Sequence, residues 1–185
     1  MKLDVIFAST RDGRQGLPIA EWVTARARAH GAFEPELVDL RAVGLPLFDE
    51  PRHPRFRQYE HAHTKAWSAI VDAADAFVFV TPEYNYGMPP ALLNAVDYLF
   101  HEWACKPAAI VSYGGISGGT RSAQMSKAIL TSVKVMPLPE GISIPFFMTM
   151  ISEGRFTPGE AQEKAAEPML NELARWAAAL GPMRK

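Results

Sequence analysis

A chain of 185 residues is long enough for one domain with a substantial core, and a single domain over residues 1–185 is expected. Hydrophobic residues make up 48% and charged residues 21%, and the formal net charge of −1 offers no basic surface to nucleic acid or to an anionic membrane. The only cysteine, Cys105, excludes an intramolecular disulfide and a cysteine-based zinc site, and no apolar run approaches the ~18 residues that would cross a bilayer, so a cytoplasmic protein is expected.

Residues 2–8 form an apolar run interrupted by Asp4, which reads as a first strand and not as a signal peptide. The run continues into Ser9-Thr10-Arg11-Asp12-Gly13-Arg14-Gln15-Gly16, a segment of glycines, hydroxyls and arginines ahead of a helix over residues 18–30. Free N–H groups at a helix N-terminus bind anions, and Arg11 adds a two-pronged grip on phosphate. Neither GxxxxGK[ST] nor GxGxxG occurs here, so a single monophosphate fits better than a triphosphate or a dinucleotide. A short strand follows at residues 34–39, then a proline-bearing loop over residues 41–58 that is expected to lie over the ligand site.

The spacing of Trp67, Ile70, Val71 and Ala74 predicts a helix over residues 61–74, and residues 76–81 a third strand. That strand ends in Thr81-Pro82-Glu83-Tyr84-Asn85-Tyr86-Gly87-Met88-Pro89-Pro90, and a helix apolar on nearly every side follows over residues 90–100. The fourth strand, residues 108–112, runs into Ser112-Tyr113-Gly114-Gly115-Ile116-Ser117-Gly118-Gly119-Thr120-Arg121, where glycines let the backbone approach a flat ligand. A helix over residues 120–132, a fifth strand within 133–144 interrupted by Pro137 and Pro139, and a last helix over residues 158–180 complete the pattern.

Strands three and four are apolar at successive positions, the mark of strands covered on both faces. The expected fold is therefore α/β, a flavodoxin-like, doubly wound, five-stranded parallel sheet of order 2-1-3-4-5 with helices on both faces. In such sheets ligands bind at the carboxyl edge, where the loops after strands one, three and four meet. One loop offers a phosphate cradle and two offer close backbone and aromatic rings, which together suit FMN.

With those residues in view, the chain resembles the NAD(P)H-dependent FMN reductases of the flavodoxin-like superfamily, a group that includes quinone, azo-dye and chromate reductases. Pro82-Glu83-Tyr84-Asn85 matches the family's signature, Leu92-Leu93-Asn94-Ala95-Val96-Asp97-Tyr98 its following helix, Ser9-Thr10-Arg11 its phosphate loop, and Ser112 to Gly115 with Gly118 to Arg121 its third loop. Ala8, Leu93 and Tyr98 depart from the family pattern. The resemblance implies that Ser9, Arg11, Arg14, Gln15 and Gly16 hold the FMN phosphate. It implies that Pro82, Glu83, Tyr84 and Asn85 lie against the ring through their amides, with Ser112, Tyr113, Gly114 and Gly115 at its pyrimidine edge. It further implies NADPH or NADH as co-substrate, ping-pong turnover to a small-molecule acceptor, no catalytic side chain beyond the flavin, no metal, and a homodimer or homotetramer built on helix 90–100.

Other readings compete. Gly115-Ile116-Ser117-Gly118-Gly119 fits the nucleophile elbow of hydrolases, but every histidine (His30, His53, His61, His63, His101) precedes the serine, against the order such enzymes use. His53, His61 and His63 stand among Arg52, Arg55 and Arg57, which disfavours a cation. Cys105 reads as a small buried hydrophobe. A flavodoxin-type electron carrier or a flavin-binding regulator without turnover is the remaining alternative. Carriers of that kind bear an acidic docking face, whereas 20 acidic residues here balance 19 basic ones.

Overall fold

A computed structural model describes residues 1–184; Lys185, the last residue of the expected domain, lies outside the described residues. In chain order the elements are β1 (Lys2–Phe7), α1 (Leu17–His30), β2 (Glu34–Asp39), α2 (Leu40–Val43), α3 (Ala62–Ala73), β3 (Ala76–Pro82), α4 (Pro90–Asp97), β4 (Pro107–Tyr113), α5 (Thr120–Ser132), β5 (Met136–Ile144), β6 (Ile151–Ser152), β7 (Arg155–Phe156) and α6 (Glu160–Leu180). The first five strands in this list, all parallel, form one sheet of order β2-β1-β3-β4-β5, as the pattern of runs and loops predicted.

Every residue of β3 and β4 is buried. Their side chains alternate between two cores. Ala76, Val78 and Val80 join Leu3, Val5 and Phe7 beneath α1 and α6, while Phe77 and Phe79 join Ile6 beneath α3, α4 and α5. Covering both faces is what a parallel sheet needs, because right-handed crossovers place helices on each side.

Several boundaries differ from the sequence pattern for identifiable reasons. The fifth strand is unbroken from Met136 to Ile144 and carries both Pro137 and Pro139. It is an edge strand with a register shift opposite Ala108 and Ile110, where prolines forgo no ladder bond. The helix expected over residues 90–100 ends at Asp97. Leu92, Ala95, Val96, Tyr98 and Leu99 are buried within the chain against Trp67 and Trp103, so a second copy is not needed to cover them. The 41–58 loop, expected to lie over the ligand site, contributes no residue to the lining of the cleft at the strand tips, although Arg41 at its start pairs with Asp12 after β1. It straps the outside of α4: Asn94 exchanges hydrogen bonds with Pro46 O and the Phe48 N–H, and Tyr98 Oη reaches Asp49 Oδ1 at 2.8 Å. Cys105 is half-buried at φ 58°, not packed away in the core. The small β6–β7 hairpin was invisible as a pattern because its strands are two residues each.

Asp4 is the polar exception in the core. It is buried on β1, and its Oδ2 has no hydrogen-bond partner among the described residues. Burial, with Glu36 adding to it, pushes its carboxyl up to about 6, against the opposing pull of Lys2 and Lys106. A folded-state value above the unfolded one means a contribution that is complete below about pH 4 and lost as pH rises through 6. Asp4→Asn is therefore expected to stabilise the protein at pH 7.5, on the order of 2 kcal/mol, and to do little at pH 4. Urea titrations at both pH values check this; an equal effect at the two would refute it.

Candidate functional site

The tips of β1, β3 and β4 enclose a cleft of ≈ 270 Å³. The segment after β1 contributes Ser9, Arg11, Arg14 and Gln15; the loop after β3 contributes Pro82, Glu83 and Tyr84; β4 and its loop contribute Tyr113, Gly114 and Gly115. Three of the expected residues sit outside its lining. Gly16 is buried directly behind Tyr113, so close that a Cβ there would fall 2.2 Å from the phenolic oxygen. Ser112 is buried and donates to Gly118 O, which shapes the glycine loop from below. Asn85 is exposed on the turn beyond Tyr84.

Phe147 also lines the cleft, and nothing in the local sequence marked it. It arrives from beyond β5, where Phe146 N–H and Phe147 N–H donate to Gly115 O and Gly114 O, and its ring stands edge-on to Tyr113 with centroids 4.8 Å apart. Only this long-range strand-like pairing brings it in.

The β1 segment has the character of an anion cradle. None of the backbone N–H groups of residues 9–16 finds an acceptor among the described residues, although Gly16 O accepts from the first turn of α1. Arg11 forms no ion pair among the described residues, and its guanidinium sits 5.5 Å from the Tyr84 ring centroid. Arg14, expected to share the phosphate, is otherwise engaged. Its guanidinium forms a forked pair with Asp39 at the end of β2, donates to Ser9 O at 2.8 Å, and covers the Phe7 ring. Hydrogen bonding to Asp39 raises the Arg14 pKa against the effect of burial, so Arg14 buttresses the cradle. Ser9 Oγ pairs with Tyr84 Oη at 2.7 Å, which ties the cradle to the next loop.

The β3 loop turns sharply. Tyr84 and Gly87 exchange backbone hydrogen bonds at 3.0 and 2.9 Å, with Asn85 and Tyr86 at φ 48° and 68° between them. Two successive positive φ values define a type I′ turn, which asparagine tolerates well. The turn takes up the Tyr84 N–H, and the Glu83 N–H donates to Tyr113 O, so of the amides expected to face a ring only that of Asn85 is left without an acceptor among the described residues. Burial works to raise the Glu83 carboxyl, but hydrogen bonds from Arg121 and Ser117 outweigh it and hold the group below the usual range. Ser117 Oγ thus pairs with Glu83, not with a histidine, and the hydrolase reading has no base.

The β4 loop closes on itself. Gly118 N–H donates to Gly115 O, Gly119 takes φ 79°, and a Cβ at Gly115 would meet nothing within 4 Å. Open space beside a glycine backbone and an adjoining run of unpaired N–H donors suit a flat ring carrying one phosphate, so the residues present fit FMN. Burial, with Tyr84 next to it, raises the pKa of the Tyr113 phenol and keeps it neutral at the floor of the cleft.

A larger cavity, ≈ 440 Å³, opens at the opposite edge of the sheet beside Cys105 and Lys106. Its charges are satisfied internally: Arg57 pairs with Asp72, Arg184 with Asp75, and Lys106 Nζ caps α3 through Val71 O and Asp72 O. His61 and His63, at the start of α3, stack on each other, and His63 pairs with Asp49 of the strap at 3.0 Å.

Comparison with known proteins agrees with this geometry. The sequence model of the NADPH-dependent FMN reductase family matches residues 1–149. The chain is 42% identical over 147 residues to an NAD(P)H-dependent FMN reductase of Schizosaccharomyces pombe, covering 78% of this chain and 74% of the relative. It is 32% identical over 144 residues to an NADPH azoreductase of a Bacillus species, covering 77% of this chain and 75% of that one. Among solved structures, the flavoenzyme NAD(P)H:(acceptor) oxidoreductase FerB of Paracoccus denitrificans superposes with a TM-score of 0.75 at 21% identity, over 96% of this chain and 97% of that one, a likeness of fold.

Proposed function

The chain belongs to the NADPH-dependent FMN reductase family, and from that premise we propose that it reduces a small planar acceptor, a quinone, a flavin or an azo compound, with donor and acceptor alternating at one site in ping-pong fashion. FMN held in this cleft would supply the redox chemistry, hydride acceptance from NAD(P)H and two-electron delivery to the acceptor. The polypeptide supplies binding and orientation. The N–H groups of residues 9–16 and the Arg11 guanidinium receive the phosphate. Tyr84, Tyr113 and Phe147 bound the cleft with aromatic surface, and Gly114 and Gly115 let the backbone approach the ring. No side chain is assigned a nucleophilic or acid–base role. The azoreductase relative supports a flat acceptor.

One observation carries this reading: the N–H groups of residues 9–16 and the Arg11 guanidinium, without hydrogen-bond or ion-pair partners among the described residues, lie together ahead of α1 at the carboxyl edge of the sheet. Arg11→Ala should weaken FMN binding roughly 10- to 100-fold, since hydrogen bonds to charged groups contribute about 1.5–3 kcal/mol, with no change in thermal stability of the flavin-free protein. Fluorescence titration of FMN decides it; a chain that binds no FMN at all would remove the basis of the proposal. Rapid-mixing traces with NADH and NADPH, each followed by a quinone or an azo dye, test the acceptor class and the order of reaction.

A cytoplasmic setting and a homodimer or homotetramer are part of the same proposal. No helix among the described residues is long and apolar enough to cross a membrane. Pairing of copies through the α4 side is supported by Leu47, 82% exposed, and by Phe48 and Phe56 on the strap over that helix. Sedimentation at micromolar concentration showing only monomer would count against it.

A further inference from the structure

The two loops at the ring end of the cleft are joined through a single carboxylate. The Glu83 side chain is only 9% exposed. Its Oε2 accepts from Ser117 Oγ at 3.0 Å and from the Arg121 N–H at 3.1 Å, and its Oε1 accepts from Arg121 Nη1 at 2.6 Å. Arg121 is the second residue of α5, so the bond to its N–H caps that helix from a different loop. Gly119 stands at the capping position and has no side chain to serve there. A carboxylate at a helix N-terminus is favoured both by the free donor and by the dipole. Arg121 then extends outward, 48% exposed, and lays its guanidinium 4.2 Å from the centroid of the Tyr86 ring. Tyr86 belongs to the tight turn that follows Glu83.

We propose that Glu83 is the positioning residue of the flavin site: by capping α5 from across the cleft, its carboxylate fixes the spacing between the Pro82–Asn85 segment and the Gly114–Gly115 segment, with the Arg121–Tyr86 stack as the outer half of the same clasp. The proposal rests on the flavin reading above. Backbone pairing between the two segments ends at the Glu83 N–H to Tyr113 O bond, so beyond that point side chains alone hold them in register. The glycine loop is anchored on its far side by the Phe146 and Phe147 N–H bonds to Gly115 O and Gly114 O, so the clasp acts on its separation from the Pro82–Asn85 segment, and without the clasp ordering that separation falls to the ligand.

The experiment compares Glu83→Gln, Arg121→Gln and the double variant with the unmodified protein. It reads FMN dissociation constants, the visible circular dichroism of bound flavin, and amide hydrogen exchange at Gly118 and Arg121 in the flavin-free state. Glu83→Gln is expected to weaken FMN at least tenfold, to alter the flavin dichroism and to speed exchange at both amides. Arg121→Gln should act in the same direction, and the double variant should bind within twofold of Glu83→Gln because one unit has been removed twice. FMN binding within twofold of the unmodified protein, with unchanged dichroism and exchange, overturns the clasp. If Glu83→Gln does not fold, Arg121→Gln and Ser117→Ala carry the same test with the same overturning result. If the unmodified chain binds no FMN, the functional reading fails, while exchange at Arg121 unchanged by Glu83→Gln still refutes the clasp on its own.

Discussion

Gly119→Ala is expected to abolish FMN binding and to destabilise the fold by about 2–5 kcal/mol. Two effects add. Gly119 sits at φ 79°, where a Cβ meets the following carbonyl and costs roughly 1–2 kcal/mol. The new Cβ would also fall 2.7 Å from Tyr113 N, 2.8 Å from Tyr113 O and 2.9 Å from the Ser112 Cβ. The first two are backbone at the end of β4, which cannot swing aside as a side-chain tip can. Relief requires the loop to move away from the strand, and Gly114 moves with it, since a Cβ there would already lie 3.1 Å from Gly119 N. Gly31→Ala, outside the cleft, is the matched control. It has φ 81° but nothing within 4 Å of the added methyl, so it should show the backbone cost alone. Denaturant titration and FMN titration of the two variants separate strain from clash. Equal losses would mean that close packing under the loop is unimportant.

Trp103→Ala is expected to cost about 3–5 kcal/mol, a large share of the 5–15 kcal/mol typical of a domain. Trp103 is fully buried at the centre of the aromatic core under α4. Its ring lies 5.0 Å from Phe77 and 5.8 Å from Trp67, edge to face in both cases, and its Nε1–H donates to Val96 O at 3.2 Å. Truncation removes the ring and leaves a cavity against rigid strands, and both effects have the same sign, while the Val96 carbonyl keeps the Leu99 N–H. Trp103→Phe should cost markedly less, because most of the volume is retained and chiefly the hydrogen bond is lost. Urea unfolding with an unchanged slope is the measurement. A ligand that binds only the folded state at a hundred times its dissociation constant adds about 2.7 kcal/mol, so excess FMN should recover much of the loss. Failure of FMN to raise the midpoint would mean that truncation in the core also disables the cleft.

Much of the architecture was legible in the chain because its signals are local. Unbroken apolar runs such as Ala76-Phe77-Val78-Phe79-Val80 announce strands covered on both sides, and helical spacing between them makes the strands parallel. Glycine, proline and asparagine at the strand tips announce turns, and Asn85 stands in the left-handed conformation that such a turn requires. Ser9, Arg11, Gln15, Tyr84, Tyr113 and Gly115 are brought to one cleft as the strand order predicts.

The individual duties of side chains were not legible, because they depend on partners distant in sequence. Arg14 and Arg11 look alike in the chain, yet Asp39 occupies one and leaves the other unpaired. Glu83 looks like a member of a binding loop and is tied to Arg121. Phe147 carries no motif and reaches the cleft only because the chain beyond β5 pairs with Gly114 and Gly115. The 41–58 strap went to α4 because Asn94 and Tyr98 offer it hydrogen bonds there. Pattern and composition thus determined which segments become strands, helices and binding turns, since those preferences act between near neighbours. Which charge is neutralised, which amide is left to a ligand and which ring closes the cleft were decided by the tertiary structure alone, since each depends on contacts that exist only once the sheet has brought remote residues together.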